Sequence, residues 1–112
     1  MVLDCLDPDG LSAFWCGALG YRNVGTDGPY VMLSPAEGDG PVLLLQRVPE
    51  PKVVKNRMHL DVRTTDLPGE VARLEGLGAR RLVDDPIQES GCRWVVMADP
   101  EGNELCVCHE GC

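Results

Sequence analysis

Apolar positions along the chain fall mostly into short alternating runs, interrupted twice by longer stretches with helical spacing. Leu11, Phe14, Trp15, Ala18 and Leu19 form one apolar stripe, and Val71, Leu74 and Leu77 form another. Each stripe follows an Asp suited to capping a helix, has a Pro close behind it, and closes on Leu-Gly. The two stretches are "DPDGLSAFWCGALG" from Asp7 and "DLPGEVARLEGLG" from Asp66. Asp66 lies 59 positions after Asp7 (66 − 7), and Gly78 lies 58 after Gly20 (78 − 20), so the second helix is expected to be one residue shorter. The aromatic residues of the first stripe read as core.

The alternating runs repeat in the same order around each helix. "VLDCL" (2–6) precedes the first, and "YRNVG" (21–25), "YVMLS" (30–34) and "PVLLLQRV" (41–48) follow it. "MHLDVR" (58–63) precedes the second, and "RRLVDD" (80–85), "CRWVVMA" (92–98) and "ELCVCH" (104–109) follow it. "AEGDG" and "DPEGN" supply turn chemistry before the last strand of each half. Only "PEPKVVKN" (49–56) reads as a linker. The pattern predicts an α+β fold in a single domain, 1–112. It has two tandem β-α-β-β-β modules, about 1–48 and 57–112, whose mixed sheets curve around a central cleft.

Alternation assigns faces. Leu60 and Val62 pack, leaving His59, Asp61 and Arg63 opposite; Leu105 and Val107 pack, leaving Glu104, Cys106 and Cys108 on the face of the histidine. Leu3 and Cys5 pack, so Val2 and Asp4 look inward. The run "LLLQRV" is uniformly apolar before Gln46, so Gln46 looks inward only if Leu45 and Arg47 point away. Imidazole, amide, carboxylate and thiolate groups all ligate divalent metals.

Charge and composition narrow the partners. With 18 acidic and 10 basic residues the net charge is −8, which disfavours nucleic acid and anionic membranes as partners and mildly favours a cationic or metal-bound ligand, though an acidic surface also simply keeps a protein in solution. No apolar run approaches the roughly 18 residues of a membrane span, and the N-terminus has no basic segment or apolar signal core. The six cysteines are irregularly spaced and the core needs no staples, so they read as reduced and the protein as cytoplasmic. Cys106 and Cys108 share a strand face instead of forming a C-x-x-C turn, which argues against a zinc knuckle.

The duplicated unit, with "DPDGLSAFWCGALGY", "NRMHLDVRTTDL" and "DPEGNELCVC", resembles the glyoxalase-like branch of the vicinal oxygen chelate superfamily. That branch groups glyoxalases, bleomycin-resistance proteins and extradiol dioxygenases. The resemblance spans nearly the whole chain. It implies one divalent metal, held by the first and last strands of the modules, that chelates substrate oxygens and stabilises an oxyanion. It implies a homodimer as well. Carried over, His59, seven residues before Asp66, and Gln46 match ligand positions. The usual last-strand Glu falls on Cys106, which favours a softer ion, Zn²⁺, Ni²⁺ or Fe²⁺, over Mg²⁺. The module-one counterpart of His59 falls one residue upstream of Met1: either this ligand is lacking or the natural chain begins further upstream. Glu104 and Asp61 are the candidate general bases.

Two functions from different classes follow. One is a metal-dependent lyase, isomerase or dioxygenase acting on a small oxygen-rich metabolite. The other is a non-catalytic protein of the bleomycin-resistance type that sequesters a small, cationic antibiotic-like compound, favoured by the departures in the ligand set and by the acidity. A scaffold with a vestigial cleft is a blander third.

Overall fold

Both helices begin where the aspartates place them. In the computed structural model, which describes residues 1–111, α1 spans Pro8–Leu19 and α2 spans Leu67–Gly76. The Gly10 N–H donates to Asp7 Oδ1 at 3.2 Å, and the Gly69 N–H donates to Asp66 Oδ1 at 3.1 Å. A Cβ at either glycine would run into the capping carboxylate as it is placed, so the glycine lets the Asp side chain lie close over the first turn. α1 ends on Gly20, whose φ of 68° turns the chain out while its N–H bonds the Cys16 carbonyl. α2 ends earlier because its last turn tightens, the Leu77 N–H reaching back three residues to the Leu74 carbonyl. The second helix is therefore two residues shorter than the first, 10 against 12, and Leu77 leaves the apolar stripe for solvent.

The chain divides into two compact units, Met1–Lys52 and a second beginning at Val53. Among the described residues they hold two mixed sheets, of four and five strands. The first contains β1 (Val2–Cys5), β2 (Tyr21–Asp27), β3 (Tyr30–Pro35) and β4 (Leu43–Arg47), ordered β1-β4-β3-β2. β1 runs parallel to β4, and the other pairs are antiparallel. α1 packs on this sheet, burying Leu11, Phe14, Trp15 and Ala18 against Val31, Leu33, Leu43 and Leu45. Phe14 and Trp15 meet edge to face at 5.1 Å. Each of these large apolar side chains contributes roughly 1.5–3 kcal/mol by leaving water. Burial of Leu43 and Leu45 fixes the phase of β4, and Gln46 lies on the other face with its cross-strand partners Asp4 and Tyr30.

The second unit contains β5 (Leu60–Thr64), β6 (Arg80–Arg81), β7 (Ile87–Glu89), β8 (Cys92–Ala98) and β9 (Glu104–His109). Their order is β5-β9-β8-β6, with β7 also paired to β8, and β5 runs parallel to β9. Two elements depart from the sequence pattern. "RRLVDD" supplies only the two residues of β6; Asp84 and Asp85 suit a strand poorly, and Pro86 cannot donate to a ladder. Pairing resumes after Pro86 as β7, which turns into β8 through Ser90 and Gly91, both at positive φ (52° and 78°) as a tight hairpin requires. "MHLDVR" pairs only from Leu60 onward, and the Met58 carbonyl instead accepts from Asn56 Nδ2 at 3.1 Å. His59 therefore sits just ahead of β5. No helix among the described residues is long and apolar enough to cross a membrane.

Candidate functional site

The register of β5, β9 and β8 decides what the second sheet presents. Leu60, Leu105 and Met97 form one cross-strand row, and Val62, Val107 and Val95 form another. Leu105, Val107, Val95 and Met97 are buried on the side where α2 packs. The alternate rows are Asp61, Cys106 and Val96, then Arg63, Cys108 and Trp94. They belong to the opposite face, which carries a pocket of about 400 Å³. Asp61, Cys106, Val96, Cys108 and Trp94 line it, together with Lys55, His59, Cys92 and Glu104.

Three potential ligands meet at one side of this pocket. His59 Nε2 lies 3.4 Å from Asp61 Oδ1, and a ligand atom from each of His59, Asp61 and Cys106 falls within 4.8 Å of the other two. His59 and Asp61 are exposed, whereas Cys106 is buried at 6%. Burial pushes the Cys106 thiol above its ordinary pKa, the Asp61 and Glu104 carboxylates push the same way, and the Lys55 ammonium opposes them. A divalent cation beside that sulfur would reverse the balance, since a coordinating thiol is deprotonated. One imidazole, one carboxylate and one thiol are a donor set that fits a borderline-soft ion and leaves a coordination position for a ligand.

Glu104 has a different role from its neighbours. Its side chain is 6% exposed, Oε1 lies 2.7 Å from Lys55 Nζ, and Oε2 accepts the Asn56 N–H at 2.8 Å. The stretch read as a plain linker is thus clasped to the rim of the pocket by a buried carboxylate. The clasp depends in turn on the turn before β9. Asp99, 1% exposed, accepts the Glu101 and Asn103 N–H groups, each at 2.9 Å, and the Asn103 side-chain amide at 2.9 Å. Gly102, at φ 88°, completes a bend that starts β9 at Glu104.

Of the residues singled out in the sequence, His59, Cys106, Asp61 and Glu104 all line this pocket. Gln46 belongs to the first unit's sheet, beside Asp4 and Tyr30. Lys55, Asn56, Cys92 and Trp94 are additions. The alternation of "CRWVVMA" was the available signal for Cys92 and Trp94, while nothing near Lys55 announces a contact so distant in sequence. Cys5, Cys16, Cys92, Cys106 and Cys108 are thiols, and the sixth cysteine, Cys112, lies outside the described residues.

The model of the glyoxalase-like domain matches residues 1–108. The chain belongs to this family. Its glyoxalase-like fold matches that of a glyoxalase/bleomycin resistance protein/dioxygenase family enzyme from Burkholderia phytofirmans PsJN, with a TM-score of 0.76 at 14% identity over 97% of this chain and 94% of that one. A glyoxalase/bleomycin resistance protein/dioxygenase from Nocardioides is similar at 0.76 and 17% identity, over 100% of this chain and 83% of that one. A glyoxalase/bleomycin resistance protein from Albidiferax ferrireducens T118 is similar at 0.68 and 14% identity, over 97% and 94%. None of the curated proteins compared with the chain matches it. The glyoxalase-like chain thus shares a vicinal-oxygen-chelate fold with proteins too distant in sequence to carry an activity across.

Proposed function

We propose that this glyoxalase-like protein binds a small oxygen-rich metabolite at a divalent metal held by His59, Asp61 and Cys106, and acts on it as a lyase, isomerase or dioxygenase. The observation that carries this reading is the approach of the three ligand atoms to within 4.8 Å of one another beside a pocket of about 400 Å³. A bound ion would supply Lewis-acid stabilisation of an oxyanion. The chain's own residues do the rest. His59 and Asp61, exposed at the rim, leave the ligand position open to solvent and to substrate, and Trp94 and Val96 offer an apolar wall for the carbon skeleton. Both oxygens of Glu104 are engaged, so it suits holding Lys55 and the 53–59 segment in position better than proton transfer. Zinc titration by calorimetry on the chain and on His59→Ala, Asp61→Asn and Cys106→Ala tests the reading: one tight site is expected, weakened in all three variants. Substrate screening with hemithioacetals and catechols would follow.

A second reading, sequestration of a small cationic compound, is favoured by one specific pairing. The Trp94 ring and the Asp61 carboxylate line the same pocket, and together they would attract a cation through its charge and through the aromatic face. Metal-independent binding of a cationic ligand, lost in Trp94→Ala, would favour it. A cytoplasmic location fits the thiol state of the described cysteines, and a homodimer belongs to the same proposal; light scattering tests the latter.

A further inference from the structure

Asp61 and Cys106 are placed by the β5–β9 ladder, but His59 lies ahead of β5 and outside that pairing. The segment leading to it, residues 53–58, belongs to neither a helix nor a strand. Val53, Val54 and Met58 are 82%, 74% and 72% exposed, so their apolar side chains do little to hold it against the sheet. Among the described residues, the hydrogen bond and the ion pair that tie the segment to the sheet both end on Glu104. Its Oε2 accepts the Asn56 N–H at 2.8 Å, and its Oε1 lies 2.7 Å from Lys55 Nζ. From there the path to the histidine is short. Asn56 Nδ2 donates to the Met58 carbonyl at 3.1 Å, and that carbonyl belongs to the peptide unit that carries the His59 N–H. Glu104 stands two residues before Cys106 on β9, with its side chain 6% exposed. One strand thus supplies the thiol, pairs with the strand that bears Asp61, and anchors the segment that bears the imidazole.

We propose that Glu104 is a positioning residue: by clasping Lys55 and Asn56 it holds His59 beside Asp61 and Cys106, and so sets the ligand geometry without being a ligand. The inference deepens the metal reading above and rests on it for the ion, whereas the placement of His59 is a property of the metal-free chain. Outer partners of this kind matter because an exposed imidazole on an irregular segment is otherwise ordered only when the ion arrives, and that ordering weakens binding. Glu104→Ala removes both anchors. Glu104→Gln loses the charge in the same way but keeps an acceptor for the Asn56 N–H, so a difference between the two variants reports the anchoring hydrogen bond and not the charge.

Two measurements on the full chain test this. In the metal-free protein, the side-chain NMR resonances of His59 should move in Glu104→Ala and stay close to their original positions in Glu104→Gln. His109, the other histidine of the chain, is the internal control and should not move in either. Zinc affinity should fall about tenfold or more in Glu104→Ala, the loss typical of an outer partner, and recover most of that in Glu104→Gln. His59 resonances that stay put in Glu104→Ala, or that move equally in both variants, would overturn the proposal. Moved resonances with undiminished zinc affinity would overturn the positioning role and leave the metal centre standing. An unmodified chain that binds no zinc would contradict the metal reading, and the His59 resonances alone would then decide whether Glu104 places the imidazole. Should Glu104→Ala fail to fold, Lys55→Met breaks the ion pair from its exposed end. Unmoved His59 resonances and unchanged zinc affinity in that variant contradict the proposal.

Discussion

Asp61 and Cys106 are direct partners across the parallel β5–β9 ladder. A carboxylate thereby sits beside a buried thiol, with His59 Nε2 3.4 Å from the same carboxylate. The arrangement opposes ionisation of the sulfur when no cation is present and favours a cation that all three groups can share.

Thiol reactivity should follow from that relationship. Burial raises the Cys106 pKa first and the Asp61 charge raises it further, so neutralising Asp61 lowers it. In Asp61→Asn, alkylation of Cys106 should accelerate at slightly alkaline pH, with the rate curve displaced to lower pH. Lys55→Ala removes the opposing charge and should displace it to higher pH. Mass-spectrometric alkylation kinetics on Cys106 across pH 6–10 (about the range a thiol titrates over) check both signs.

Metal affinity should rise with pH for the same reason. A thiol with a raised pKa must lose its proton to ligate, so each ion bound at the triad releases protons, and binding strengthens until Cys106 ionises unaided. Calorimetric zinc titrations in buffers of different ionisation enthalpy count the protons. Proton release should disappear in Cys106→Ala.

The Lys55–Glu104 clasp should contribute to stability unequally from its two ends. Lys55 is 70% exposed and recovers its hydration when the pair is broken, whereas Glu104, at 6%, does not. Lys55→Ala strands a buried carboxylate and should cost about 1–2 kcal/mol, between the values for exposed and buried pairs. Glu104→Gln keeps an acceptor for the Asn56 N–H and should cost less. Urea unfolding of the two variants measures the difference.

Asp99→Ala should be the most damaging change outside the core. It removes the acceptor of three hydrogen bonds in a buried turn, and the stranded donors cost about 3 kcal/mol or more. Glu104 would lose its position with the turn, so thermal unfolding and zinc affinity should fall together.

Legibility in the sequence tracked how local each determinant is. Both helices were readable because cap, stripe and stop lie close together in sequence, from Asp7 to Gly20 and from Asp66 to Gly78. Cys106, Cys108 and Glu104 could be assigned a common face because Leu105 and Val107 alternate cleanly with them. Gln46 could not, since three leucines precede it; only the burial of Leu43 and Leu45 beneath α1 fixes its side. β7 escaped the pattern because its three residues, Ile87–Glu89, lie between Pro86 and the Ser90–Gly91 turn, too short a run to show alternation. The Lys55 and Asn56 contacts to Glu104 join residues far apart in sequence and have no local signature.

The measurement that tests the central claim most directly is cobalt substitution, read by visible and near-ultraviolet absorption. One equivalent of Co²⁺ should give a four-coordinate d–d spectrum with a sulfur-to-cobalt charge-transfer band. The band should be lost in Cys106→Ala, and the affinity should fall at least ten- to hundredfold in His59→Ala and Asp61→Asn, the loss typical of disturbing even an outer partner of a metal site. A six-coordinate spectrum without the sulfur band, or a spectrum unchanged in all three variants, would contradict a metal centre built from His59, Asp61 and Cys106.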